Sequence, residues 1–110
     1  MKKKTVLIVD DDRIIREQLQ KELKREFFKT FLASDGKTAL ESLSQEEIDT
    51  VILDVKLPDM DGLEVLQEIK EKRPDCEVIV ITGMGSQEIA IKSLRKGAID
   101  YIEKLSLIHI

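Results

Sequence analysis

The chain has 110 residues, 42% apolar and 36% charged, and its 18 Lys and Arg against 22 Asp and Glu leave a net charge of −4. That is one small domain around a single core, and the acidic balance argues against nucleic acid as a direct partner, because neutralising phosphates takes clustered cations. The single cysteine, Cys76, excludes an intrachain disulfide and a multi-cysteine zinc cluster and fits a reducing, cytoplasmic setting; no apolar run approaches the ~18 residues of a membrane span, and the start lacks the apolar region of a secretory signal.

Lys2-Lys3-Lys4 reads as a solvated chain end. Thr5-Val6-Leu7-Ile8-Val9 is a β-branched run and predicts a first strand. Ile14, Ile15, Leu19 and Leu23 follow at helical spacing. Thr30-Phe31-Leu32-Ala33 predicts a second strand, weaker and mixed in polarity, and Ala39, Leu40 and Leu43 a short helix. Val51-Ile52-Leu53 is a third strand, and Leu63, Val65, Leu66 and Ile69 mark a helix that ends before Pro74. Val78-Ile79-Val80-Ile81 is a fourth strand, Ile89, Ala90, Ile91 and Leu94 mark a helix stopped by Gly97, and Ile99 to Glu103 form a short fifth strand.

Strands separated by single helices imply a parallel sheet with right-handed crossovers. The first, third and fourth strands are apolar throughout, as strands buried on both faces are. The weak second and fifth strands belong at the edges. This predicts a flavodoxin-like, doubly wound five-stranded sheet in the order 2-1-3-4-5.

Ligands of such sheets bind beyond the carboxyl ends of the strands, where the strand order reverses, here between the first and third strands. Asp10, Asp11 and Asp12 follow the first strand, Asp54 the third, Thr82 and Gly83 the fourth, and Lys104 the fifth. Asp12 reads as the N-cap of the helix beginning at Arg13. Asp10, Asp11 and Asp54 crowd together, since adjacent strands lie ~4.8 Å apart. Two carboxylates ~4 Å apart repel by roughly 4 kcal/mol at an effective dielectric near 20, so a proton, a lysine or a metal has to relieve the cluster. Hard oxygen donors suit Mg²⁺, Lys104 supplies a second cation, and Thr82 adds a hydroxyl; together these are the parts that stabilise charge in phosphoryl transfer.

Two other site types fit poorly. A calcium loop with Gly62 as its turn glycine puts Asp59, Asp61 and Glu68 at ligand positions, but its first position is Leu57, followed by Pro58. Gly83-Met84-Gly85 lacks the third glycine of a dinucleotide fingerprint, Glu88 standing in its place, and carboxylates after the first strand repel phosphate unless a metal intervenes.

In four stretches the chain resembles the receiver domain of bacterial two-component response regulators. They are Leu7-Ile8-Val9-Asp10-Asp11-Asp12, the run from Val51 through Asp54 and Pro58 to Gly62, Val80-Ile81-Thr82-Gly83, and Gly97 to Lys104. The resemblance implies that Asp54 is the phosphoacceptor, that Asp11 binds Mg²⁺ directly and Asp10 through water, and that Asp54 and the Lys56 carbonyl complete the metal site. It also implies that Thr82 and Lys104 hold the phosphoryl oxygens and that Tyr101 is an aromatic switch following Thr82. The implied donor is a phosphohistidine on a sensor histidine kinase or a phosphotransfer protein, the chain catalysing its own phosphorylation and later hydrolysis. A pseudo-receiver, an interaction module that keeps the fold without phosphoryl transfer, is the alternative reading.

The receiver is expected over residues 1–104, with 105–110 as an atypical apolar tail of cloning or truncation origin and an output domain removed. Leu105 stands where the family usually has a proline with a cis bond, and the usual fifth helix is absent from the sequence. Its absence predicts a bare face over strands three to five, on the order of several hundred Å², and self-association through that face.

Overall fold

The computed structural model describes residues 3–83 and 86–104. Its elements run β1 (Thr5–Val9), α1 (Arg13–Arg25), β2 (Lys29–Ala33), α2 (Gly36–Gln45), β3 (Thr50–Asp54), α3 (Gly62–Lys72), β4 (Glu77–Thr82), α4 (Gln87–Arg95) and β5 (Asp100–Glu103). All five strands form one parallel sheet in the order β2-β1-β3-β4-β5, as expected. β1 is buried along its whole length, and β2 at the edge is mostly exposed or half-buried.

Alternation along the strands divides the interior into two cores. Leu7, Val9, Val51, Leu53, Val78 and Val80 face α2 and α3, meeting Ala39, Leu43, Val65, Leu66 and Ile69. Val6, Ile8, Ile52 and Ile81 face α1, meeting Ile15, Leu19 and Leu23. Cys76 is buried in the larger core, where burial raises its thiol pKa. On the α1 side, Ile79 and Ile102 remain half-buried. The Leu105–Ile110 tail, the fifth-helix position, the Lys104–Leu105 bond and Met84-Gly85 fall outside the described residues.

Both expected helices, α1 and α4, form, and burial shows which side of each faces the sheet. Ile14 is 73% exposed, while Ile15 is 3% exposed. The inward stripe of α1 runs Ile15, Leu19, Leu23 at steps of four, and Ile14 lies about 100° off it. In α4, Ile91 and Leu94 are exposed, and the fully buried positions are Ala90 and Ser93, the latter satisfying its hydroxyl on the Ala90 carbonyl at 2.7 Å.

α1 and α4 end in the same way with different residues. In α4, Gly97 (φ 111°) donates its N–H to Leu94 and Ala98 donates to Ser93, the two bonds of a Schellman cap. In α1, Phe27 donates to Lys24 and Phe28 to Leu23, so Phe27 takes the left-handed position (φ 67°) that glycine fills in α4. Phe28 folds back beside Leu23 in the smaller core, which holds the turn in place, and the Phe27 side chain is 77% exposed. Relieving the backbone strain removes little packing, so Phe27→Gly is expected to stabilise the domain by about 0.5–1 kcal/mol, read as a raised urea midpoint with unchanged slope. A lowered midpoint would mean that the exposed ring carries packing of its own.

Candidate functional site

The site is built by register. β1 and β3 pair with Val9 opposite Leu53, so the next residues, Asp10 and Asp54, leave the sheet level with each other. Asp54 sits opposite Ile81, with Thr82 one step further along β4 and opposite Glu103; Lys104 follows directly. Asp10, Asp54 and Thr82 are almost wholly buried, whereas Asp11 is exposed at the rim. Carboxylate oxygens of Asp10, Asp11 and Asp54 all lie within 4.8 Å of one another.

Local bonds fix each group. Asp12 caps α1, its carboxylate accepting from the N–H of Ile14 at 2.9 Å. Asp10 Oδ1 accepts from the Asp12 N–H at 2.8 Å, and Asp54 Oδ1 from the Lys56 N–H at 3.0 Å. Lys104 Nζ reaches both acids, 3.0 Å from Asp54 Oδ2 and 3.4 Å from Asp10 Oδ1. Asp10 Oδ2 is buried and has no hydrogen-bond partner among the described residues. Gly62 closes the loop after β3, donating its N–H to the Val55 carbonyl at 2.8 Å. A Cβ there would stand 2.4 Å from Val55 Cα, so close backbone approach is what demands glycine at this turn.

The electrostatics follow from that crowding. Burial, chiefly, and the neighbouring Asp54 charge push the Asp10 carboxyl up to about 6, against the pull of the Asp12 N–H and of Lys104. Burial disfavours the Lys104 ammonium, but its hydrogen bond to Asp54 and the charges of Asp54 and Asp10 outweigh burial and raise its pKa. One lysine therefore relieves the cluster only partly. A buried carboxylate oxygen without a donor beside two further carboxylates is what a hard divalent cation fits.

The structure thus brings Asp10, Asp11, Asp54, Thr82 and Lys104 to one edge, with Lys56 next to Asp54 through its backbone. Tyr101 stands apart, opposite Val80 and 38% exposed. Asp59 and Asp61, two of the three acids of the calcium-loop arrangement, are engaged elsewhere: Asp61 caps α3 at Leu63, and Asp59 accepts from the backbone at the start of α2. A residue missed from sequence is Arg16, whose guanidinium donates to the Asp10 carbonyl at 2.7 Å and steadies the turn after β1. The available signal is a cation one turn after the Asp12 cap.

The chain matches the family model of the response regulator receiver domain over residues 6–107. It is 43% identical over 100 residues to a cyclic di-GMP phosphodiesterase of Thermotoga maritima, covering 91% of this chain and 27% of that protein. It is 43% identical over 101 residues to an NtrX-like response regulator of Rickettsia felis, covering 90% of this chain and 21% of that protein. The chain therefore spans only about a quarter of the length of these curated relatives. A response regulator receiver domain protein of Methanospirillum hungatei superposes with a TM-score of 0.89 at 33% identity, covering 98% of this chain and 90% of that one. With its sheet order, its acidic edge and these likenesses taken together, the chain belongs to the response regulator receiver domains, the phosphoacceptor modules of two-component signalling.

Proposed function

We propose that Asp54 is the phosphoacceptor and that Asp10, Asp11, Asp54 and the Lys56 carbonyl hold Mg²⁺ beside it. The observation that carries this reading is the paired environment of Asp54: it is buried, level with Asp10 and bonded to Lys104, next to a buried Asp10 oxygen that lacks a partner among the described residues. The family's Mg²⁺, when bound, supplies charge stabilisation for the transferring phosphoryl group. An Asp54 carboxylate oxygen forms the new bond to phosphorus as the phosphorus–nitrogen bond of a phosphohistidine breaks, the imidazole nitrogen leaving with the electron pair. Water later cleaves the acyl phosphate and restores the carboxylate, so the chain catalyses both its own phosphorylation and its hydrolysis. Phosphorylation replaces a charge of −1 on Asp54 by roughly −2 and adds strong acceptor oxygens, for which Lys104 and the Thr82 hydroxyl are the adjacent donors.

The phosphoryl donor in this reading is a sensor histidine kinase or phosphotransfer protein in the cytoplasm. The receiver occupies residues 1–104 and passes its state to an output domain or partner through the surface carrying Tyr101. In this reading the chain also self-associates, through the α1 side of β4 and β5, and the half-buried state of Ile79 and Ile102 there supports it.

Three outcomes follow. Acetyl phosphate with Mg²⁺ is expected to label the wild type and to leave Asp54→Asn unlabelled; full labelling of the variant would move the phosphoacceptor elsewhere. Asp11→Ala is expected to raise the Mg²⁺ concentration for half-maximal labelling by more than about tenfold, and an unchanged titration would remove Asp11 from the ligand set. Tyr101 is the one tyrosine and there is no tryptophan, so intrinsic fluorescence reports the switch directly. Thr82→Ala is expected to accept phosphate yet lose the fluorescence change, whereas a wild-type change in that variant would uncouple Thr82 from Tyr101.

A further inference from the structure

The loop between β3 and α3 is tied at both ends. Lys56 donates its N–H to Asp54 at 3.0 Å, and Gly62 donates to Val55 at 2.8 Å. Its middle is tied across the molecule. Asp59 uses both carboxylate oxygens there: Oδ1 accepts from the Gly36 N–H at 2.8 Å and Oδ2 from the Lys37 N–H at 3.0 Å. These are N–H groups of the first turn of α2, which α2 cannot satisfy internally. The helix has its own cap as well, Asp35, which accepts from Thr38 at 2.7 Å. Asp59 is therefore a second carboxylate at the same helix end, delivered from 23 residues away in sequence.

The contact extends beyond the two bonds. A Cβ on Gly36 would stand 2.7 Å from Met60 Sδ, so the residue next to Asp59 lies directly on the first turn of α2. The Gly36 and Lys37 N–H groups, in that order, hold the Asp59 carboxyl below its ordinary pKa, as donors to a charged acceptor do. The anion also lies favourably at the positive end of the helix dipole.

We propose that Asp59 is a positioning residue for the metal-dependent chemistry at Asp54: by fastening the middle of the β3–α3 loop to the start of α2, it sets where the Lys56 backbone is presented to the acidic cluster. This rests on the reading of Asp54 and the Lys56 carbonyl given above. Asp59 touches no reacting group and acts through the two loop residues, Leu57 and Pro58, that separate it from Lys56. Partners outside a metal's ligand set typically contribute about 10–100-fold to affinity, and action through a loop places Asp59 at the lower end.

The test titrates the full chain with MgCl₂ and follows the Asp11 and Lys56 amide signals by NMR, with amide exchange at Gly36 and Lys37 read in parallel. Asp59→Ala is expected to speed exchange at both amides and to raise the half-saturating Mg²⁺ concentration about tenfold. Asp59→Asn, which keeps the size and one acceptor oxygen, is expected to fall between it and the wild type. Asp35→Ala removes the cap of the same helix without touching the loop, and its Mg²⁺ titration is expected to match the wild type. Wild-type Mg²⁺ binding in Asp59→Ala, or an equal loss in Asp35→Ala, would overturn the proposal, the second showing that α2 stability rather than the loop tie governs the site. A wild-type chain whose Asp11 and Lys56 signals ignore Mg²⁺ would instead overturn the underlying metal-site reading.

Discussion

Everything at the carboxyl edge of this sheet depends on the parallel register of β1 against β3. Because Val9 lies opposite Leu53, Asp10 and Asp54 leave the sheet at the same height and cannot avoid each other. Burial in that position pushes the Asp10 carboxyl up to about 6. Lys104 is the fold's own answer, a cation brought from β5 to lie 3.0 Å from Asp54 and 3.4 Å from Asp10. The cluster persists because the surrounding sheet over-determines it: Leu7, Ile8, Val9, Val51 and Leu53 have no exposed surface at all, and slipping the register by one residue would turn each of them to the opposite face. Electrostatic strain at the edge is thus held by apolar burial a few residues away.

The same division of labour recurs in the loops. Rigid strands supply the position of each functional group, and backbone hydrogen bonds to carboxylates shape the turns between them. Asp12, Asp35 and Asp61 each cap the helix that follows. Asp10 and Asp54 use one oxygen apiece on a backbone N–H two residues ahead, which leaves their other oxygens for Lys104 or for the cluster. Arg16 pins the Asp10 carbonyl from α1, and Asp59 pins the β3–α3 loop to the start of α2. These aspartates therefore divide between those that satisfy helix ends and those that crowd at the centre, and only geometry separates the two groups.

Much of this was legible in the residues. Continuous apolar runs at Val6–Val9, Val51–Leu53 and Val78–Ile81 marked the central strands, and the mixed polarity of Thr30–Ala33 marked an edge. From the resulting strand order, the meeting of Asp10, Asp11, Asp54, Thr82 and Lys104 followed, because residues directly after parallel strands share one edge. The helices were less legible in detail. Ile14 and Ile91 have the composition of core residues and lie in the right windows, yet they point to solvent, since periodicity identifies a stripe only once its phase against the sheet is known.

Sequence alone determined the order of elements, the edge at which the acids gather and the Asp12 cap, because each rests on local patterning or on the topology that such patterning allows. Tertiary structure decided which partner each polar group takes. Nothing local distinguishes Asp59, bonded to the first turn of α2, from Asp61, which caps the helix it precedes. Nothing local places Cys76 in the core, or holds Phe27 left-handed where α4 uses glycine. Those outcomes come from contacts between segments distant in the chain: a half-buried Phe28 packed on the smaller core fixes the turn at Phe27, and the approach of Met60 to Gly36 brings Asp59 to its helix. A hydrogen bond or a burial site of that kind exists only after two elements have met, so the sequence carries its parts but not its pairing.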